Sequence, residues 1–157
     1  MGYTSPAMSP SPSMNKTILI VVSPYYREIS EMLVSGATSA LYNAGFDAEM
    51  IEVPGAFEIP AAIAMADSSG RYAGYVALGC VLRGETSHYD HICAESARGL
   101  QQLGVVQHLA LGNGILTCEN MEQAALRADP AQGDKGGAAA RTCLRMIEIR
   151  QLFGLNL

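Results

Sequence analysis

The sequence predicts an α/β domain, a three-layer αβα sandwich around a four-stranded parallel sheet, and three observations carry that expectation. From Thr17 onward, short apolar runs alternate with amphipathic segments, the pattern of parallel strands joined by right-handed crossovers. Tyr75 to Leu82, YVALGCVL, is a nearly unbroken apolar run, as a strand covered on both faces requires. The chain has 157 residues, of which 49% are apolar, enough to bury one core without disulfides or a structural metal.

Each element has its own local reason. Residues 1–15, MGYTSPAMSPSPSMN, are rich in Ser and Pro with no apolar period, so they are expected to form a disordered or loosely attached arm ahead of a single domain over 16–157. TILIVV supplies the first strand. A helix is expected near 27–44, where Ile29, Met32, Leu33, Gly36, Ala37, Ala40 and Leu41 fall on a 3, 4 spacing and Asn43 and Gly45 supply an ending. DAEMIEV follows as the second strand, then a helix near 58–68, the strand YVALGCVL, a helix near 88–103 and a fourth strand at VQHLALG. A short helix near 119–128 and a longer one near 136–152 close the chain, the latter with Arg141, Arg145 and Glu148 on a polar stripe.

In sheets of this flavodoxin-like kind, ligands bind outside the carboxyl ends of the strands. The unusual residues are expected there: SPYY (Ser23–Tyr26) after the first strand, PGAFEIP (Pro54–Pro60) after the second, RGETSH after the third and GNGILTCEN (Gly112–Asn120) after the fourth.

Composition removes several classes of function. Charged residues make up 16%, well below the roughly 25% of ordinary soluble domains, so part of the apolar surface is expected to be covered by other subunits. A net charge of −5 argues against binding to a nucleic-acid backbone. No apolar run approaches membrane-spanning length and no secretory leader is visible, so neither membrane insertion nor export is expected. Cys80, Cys93, Cys118 and Cys143 form no CxxC pair, which reads as reduced thiols in a cytoplasm. Neither GxGxxG nor a Walker-type loop occurs, so dinucleotide binding and nucleoside-triphosphate hydrolysis are not expected.

The chemistry concentrates in GCVLRGETSHYDH, residues 79–91. Glu85, Thr86 and Ser87 offer a cap, hydroxyls and free amides where a helix begins, an arrangement that attracts anions. His88 lies beside them, and a reference pKa of about 6.5 suits proton transfer near neutrality; an ordinary N-cap with a surface histidine fits the same residues. His88, Asp90 and His91 lack the i, i+4 histidine pair of a zincin, and no further Cys or His group completes a metal set. Tyr25, after a strand and a proline, presents a ring for stacking on a flat heteroaromatic or for packing. Glu58, between a Pro-Gly turn and Pro60, stands near free amides, as ligand-hydroxyl acceptor or as simple helix-start acid. Arg127 and Lys135 flank the loop RADPAQGDKGG, where each is a phosphate contact or a solvated charge.

Taken in order, VPGAFEIP at 53–60, ALGCVLRGETSHYDHIC at 77–93, GILTCENMEQA at 114–124 and DKGGAAA at 134–140 resemble the lumazine synthase family. The resemblance spans about residues 17 to 153. It implies an enzyme of riboflavin biosynthesis that joins 5-amino-6-(D-ribitylamino)uracil to 3,4-dihydroxy-2-butanone 4-phosphate, releases phosphate and water, and uses no cofactor or metal. By the same resemblance Tyr25 stacks on the pyrimidine ring, Ala56, Phe57 and Glu58 flank the ribityl chain, and the backbone of Val81 and Leu82 contacts the uracil. Glu85 and Thr86 hold phosphate with Arg127, which a neighbouring subunit supplies, while Lys135 stands near that loop and His88 moves protons. Asn113 replaces an aromatic that many relatives direct toward the neighbour's ligand. The family builds pentamers, and some members build decamers or sixty-subunit shells. The rival readings are a flavin- or lumazine-binding carrier without catalysis, which loss of His88 or Arg127 would have favoured, and a signalling domain, which needs an aspartate where Ser23 or Arg83 stands.

Overall fold

The computed structural model describes residues 15–84 and 89–155. Four parallel strands, β1 (Thr17–Val22), β2 (Asp47–Glu52), β3 (Gly74–Leu82) and β4 (Leu111–Cys118), form one sheet in the order β2-β1-β3-β4. The helices are α1 (Arg27–Asn43), α2 (Ile59–Asp67), α3 (Tyr89–Gln107), α4 (Met121–Ala128) and α5 (Lys135–Leu152). Of the expected arm, only Asn15 falls within the described residues; its side chain accepts from the Thr17 amide at 3.0 Å and donates to the Arg71 carbonyl.

Side-chain alternation along β1 builds both faces of the core. Ile18, Ile20 and Val22 pack with α1, α4 and α5, whereas Leu19 and Val21 pack with α2 and α3. Five of the six residues of β1 and eight of the nine of β3 are buried, which is why those segments read as continuous apolar runs. The edge strand β2 is exposed at most positions and carries Asp47, Glu49 and Glu52, charges that discourage further pairing.

The layer of α1 and α5 is held by close backbone approach. A Cβ on Gly136 would strike the Leu33 carbonyl of α1, and one on Gly112 would strike the Ala139 carbonyl of α5. Gly114 lies where a Cβ would come within 2.7 Å of Leu78 and 3.1 Å of the Ala139 Cβ. The glycines of β4 are therefore packing residues of a strand.

This corrects the expected position of the fourth strand. VQHLALG was expected to be that strand and Gly112–Asn120 the loop after it, but α3 continues to Gln107 and β4 occupies Leu111–Cys118. Val105 and Val106 are β-branched yet sit on the exposed side of the last turn of α3. The helix is ended by His108, which takes the left-handed conformation, φ +57°, a role that glycine normally announces in a sequence. Its carbonyl is held by the Arg150 guanidinium from α5. Arg141 and Arg145 are exposed along α5, and Arg145 pairs with Glu148 at 2.7 Å, as the polar stripe required.

Cys143 of α5 is fully buried against Gly74 and β3, and burial pushes its thiol up to about 12. The unfolded chain ionises this group near its ordinary 9.0 while the folded chain keeps it neutral. Its contribution to stability is thus complete below pH 9 and fades as pH climbs toward about 12. Denaturation measured across that range is expected to show the alkaline loss shrinking in Cys143→Ala. A thiol reagent at pH 8 is expected to reach Cys143 only after unfolding.

Thermal unfolding tests the glycine seam with a pair of substitutions. Gly112→Ala is expected to lose about 3 kcal/mol by overpacking. Gly104→Ala, whose Cβ would sit 3.8 Å from Leu111, is expected to gain about 0.5–1 kcal/mol from helix propensity.

Candidate functional site

The pairing of β1 with β3 ends at Val22 and Leu78, and the Ser23 amide adds one more bond to the Leu78 carbonyl at 2.9 Å. Beyond that point β3 runs four residues farther, paired only with β4 as far as Leu82–Cys118. Backbone groups alternate sides along a strand, and the Arg83 amide bonds to Cys118 on the β4 side. The backbone of Leu82 therefore turns toward the space that β1 has left.

That space is a cleft of about 180 Å³ at the carboxyl edge of the sheet. Val81 and Leu82 from β3, Ala56 and Gly55 from the loop after β2, Tyr25 and Tyr26 from the loop after β1, and Ile92 from α3 form its walls, with Ser23 and Cys80 behind them. Pro60 in the first turn of α2 and a short 3-10 turn at Ala56–Glu58 bring Ala56 inward, where it is buried. Glu58 points back along the wall, its Oε2 lying 3.1 Å from where a Cβ on Gly55 would sit. Phe57 forms an outer rim, its ring stacked on His91 with centroids 6.3 Å apart. Tyr25 is 72% exposed and leans on Tyr26 edge to face, with centroids 4.9 Å apart.

The expected residues Tyr25, Ala56, Val81 and Leu82 are thus brought together, with Phe57 and Glu58 beside them. Glu85, Thr86 and His88 lie outside the described residues. The turn that leads to them is formed by Arg83 and by Gly84 at φ +91°, a conformation glycine adopts freely. Arg83 joins three elements: its Nε meets Glu119 Oε1 at 3.0 Å, its Nη1 meets Asp90 Oδ1 at 3.8 Å, and its guanidinium lies 4.6 Å from the Tyr89 ring centroid. Glu119 keeps the Arg83 guanidinium protonated more firmly than usual.

Asn113, Arg127 and Lys135 gather elsewhere. They share a second hollow, about 350 Å³, along β4, with Gly114, Ile115, Leu116 and Thr117. Asn113 is a residue of β4 and not of a loop; its Oδ1 accepts from the Ile115 amide at 3.0 Å. Arg127 lies in the last turn of α4 and donates from Nη1 to Cys118 Sγ at 3.3 Å. The loop to α5 folds tightly, with Gly133 donating to the Leu126 carbonyl and Asp134 to the Asp129 carbonyl, each at 3.0 Å. Asp129 is held below the usual carboxylate range by hydrogen bonds from Gln132 and the Ala131 amide. Gly133 permits the fold, since a Cβ there would come within 2.7 Å of the Arg127 Cα. Two cations with no acidic residue in the lining suit a doubly charged oxyanion such as phosphate.

A third hollow of about 170 Å³ lies at the amino edge of the sheet, beside Asp67, Tyr75 and Arg150. Its polar groups serve the fold: Tyr75 donates to Asp67 at 3.2 Å, and Arg150 donates to the carbonyls of His108 and Leu155. Burial, with the Asp67 carboxylate next, pushes the Tyr75 phenol well above its ordinary value. Among the described residues no group of three or more His, Cys, Asp or Glu is placed to hold a metal ion, and no helix is long and apolar enough to cross a membrane.

Tyr26 and Ile92 were not singled out in the sequence. Tyr26 stood next to the residue that was, and Ile92 was visible only as an apolar position of α3.

Fold and cleft together define a parallel α/β sandwich with an open cleft at the carboxyl edge of β1 and β3, the edge where sheets of this class bind ligands. The sequence profile of the 6,7-dimethyl-8-ribityllumazine synthase family matches residues 15–151. Proteins named 6,7-dimethyl-8-ribityllumazine synthase from Novosphingobium aromaticivorans and Sphingopyxis alaskensis are 53% and 50% identical over 133 and 139 residues, covering 85% and 88% of this chain and 95% and 98% of their own lengths. A protein named 6,7-dimethyl-8-ribityllumazine synthase 1 from Rhizobium meliloti is 52% identical over 142 residues, 87% of this chain and 93% of its own. The chain belongs to the 6,7-dimethyl-8-ribityllumazine synthase family.

Proposed function

We propose that this protein is a transferase of riboflavin biosynthesis that condenses 5-amino-6-(D-ribitylamino)uracil with 3,4-dihydroxy-2-butanone 4-phosphate to 6,7-dimethyl-8-ribityllumazine, releasing phosphate and water. The observation that carries the reading is the family match over residues 15–151; a cleft walled by Tyr25, Ala56, Val81 and Leu82, and a hollow lined by Arg127 and Lys135, support it.

In this reading the pyrimidine stacks on Tyr25, its polar edge meets the backbone that β3 presents at Leu82, with Val81 in the wall beside it, and the ribityl hydroxyls reach Glu58 past Ala56 and Phe57. Glu85 and Thr86 hold the phosphate and His88 moves protons, roles that rest on the motif RGETSH. The ring amine adds to the ketone and water leaves to give a Schiff base. Phosphate is then eliminated, the resulting enol rearranges to a ketone, and the ribitylamino nitrogen closes onto that carbonyl with loss of a second water to complete the lumazine. The protein chiefly positions two substrates and steadies the leaving anion, since the diaminopyrimidine is already a good nucleophile.

Arg127 and Lys135 share no lining residue with the cleft of their own chain, which supports a site completed by the next subunit, Asn113 standing at its outer rim. A pentamer is the assembly we infer. Exposed Phe57, Met65, Val105 and Val106 supply apolar surface for such contacts. Four cysteines with no CxxC pair accord with a cytoplasmic location.

Mixing both substrates with the purified protein is expected to give lumazine absorbance and stoichiometric phosphate; binding without product would mark a carrier instead. His88→Ala is expected to slow turnover more than it weakens binding. Tyr25→Ala and Arg127→Ala, each poorly active alone, are expected to regain part of the parental activity when co-assembled, because some interfaces then pair two intact halves. Sedimentation is expected to report at least five subunits, and a monomer would undercut the shared site.

A further inference from the structure

Tyr25 is the wall of the cleft, yet most of its surface is open: 72% of it is exposed. A side chain in that situation has several staggered rotamers available, and a stacking wall that wanders must be ordered each time a ligand arrives. What restrains it is the next residue. Tyr26 occupies the position just before α1, with extended backbone at φ −107°, and its side chain makes no capping bond to the helix. Its ring is instead partly buried against the core on the α1 face and also reaches the cleft. The two rings meet with centroids 4.9 Å apart and planes at 77°, the edge-to-face arrangement that aromatic quadrupoles favour.

We propose that Tyr26 is a positioning residue: its core-anchored ring holds Tyr25 edge to face, so that a flat heteroaromatic substrate meets a wall already set. This rests on the reading of Tyr25 as the stacking residue. Phe57 is held on the rim by His91 in a comparable way, but as a stacked pair outside the cleft lining. Tyr26 differs in touching both the core and the wall.

The test is steady-state kinetics with each substrate varied in turn, on Tyr26→Leu, Tyr26→Phe, Tyr25→Ala and the double variant Tyr25→Ala/Tyr26→Leu. Leucine retains apolar bulk against the core while removing the ring, and circular dichroism with sedimentation reports whether each variant is folded and assembled. Tyr26→Leu is expected to raise KM for the diaminopyrimidine by about three- to tenfold, the range of an aromatic pair, with KM for the butanone phosphate and kcat at saturation unchanged. Tyr26→Phe is expected to restore the parental values, and the double variant to be no weaker than Tyr25→Ala. Parental kinetics in Tyr26→Leu, failure of phenylalanine to rescue, or full additivity in the double variant would each overturn the positioning role. Parental KM in Tyr25→Ala would remove the stacking role of Tyr25 and this inference with it. A weakened Tyr25→Ala beside a parental Tyr26→Leu would remove only the latter.

Discussion

The site depends on a mismatch of strand lengths. Because β1 stops at Val22 while β3 continues to Leu82, the central strand of the sheet carries a stretch of backbone flanked by a strand on one side only. In a sheet of equal strands that backbone would be consumed in the ladder. Here the loop after β1 swings Tyr25 and Tyr26 over the gap, and the turn after β2 closes it with Ala56. A ligand entering the gap meets aromatic surface on one flank and main-chain polarity on another, which is how a largely apolar pocket fixes orientation.

The hollow along β4 is shaped by backbone packing instead. Gly112, Gly114 and Gly136 let α5 settle against β4 and α1 at distances no side chain would allow, and Lys135 begins α5. Arg127 stands in the last turn of α4, six residues before Gly133, whose missing side chain lets the connection double back. Asp134 accepts a left-handed backbone, φ +47°, and caps α5 through the Gly137 amide. Two cations from separate helices thereby line one hollow along β4.

Strands whose faces are both covered announced themselves: TILIVV and YVALGCVL read as they fold, and the 3, 4 stripe of α1 did as well. β4 was misread because its glycines answer to α5, a tertiary reason that local sequence does not contain, and because His108 ends α3 in a conformation usually reserved for glycine. Among the residues of the cleft, Tyr25, Ala56, Val81 and Leu82 stand at strand ends and in motifs that the sequence displays. Tyr26 carries no such signal, since its place against Tyr25 is a matter of ring packing. That Arg127 and Lys135 share a hollow follows from the tight loop between them, which is not a local property of either residue.

The two covering layers also differ in how firmly they are fixed. α1 and α5 are each buried at six positions and interlocked through carbonyls and bare Cα atoms, whereas α3 buries only three of its nineteen residues and α2 two of nine. The α1–α5 side is thus sealed by its own backbone, whereas the α2–α3 side keeps apolar surface at Met65, Val105 and Val106 that a single chain leaves uncovered.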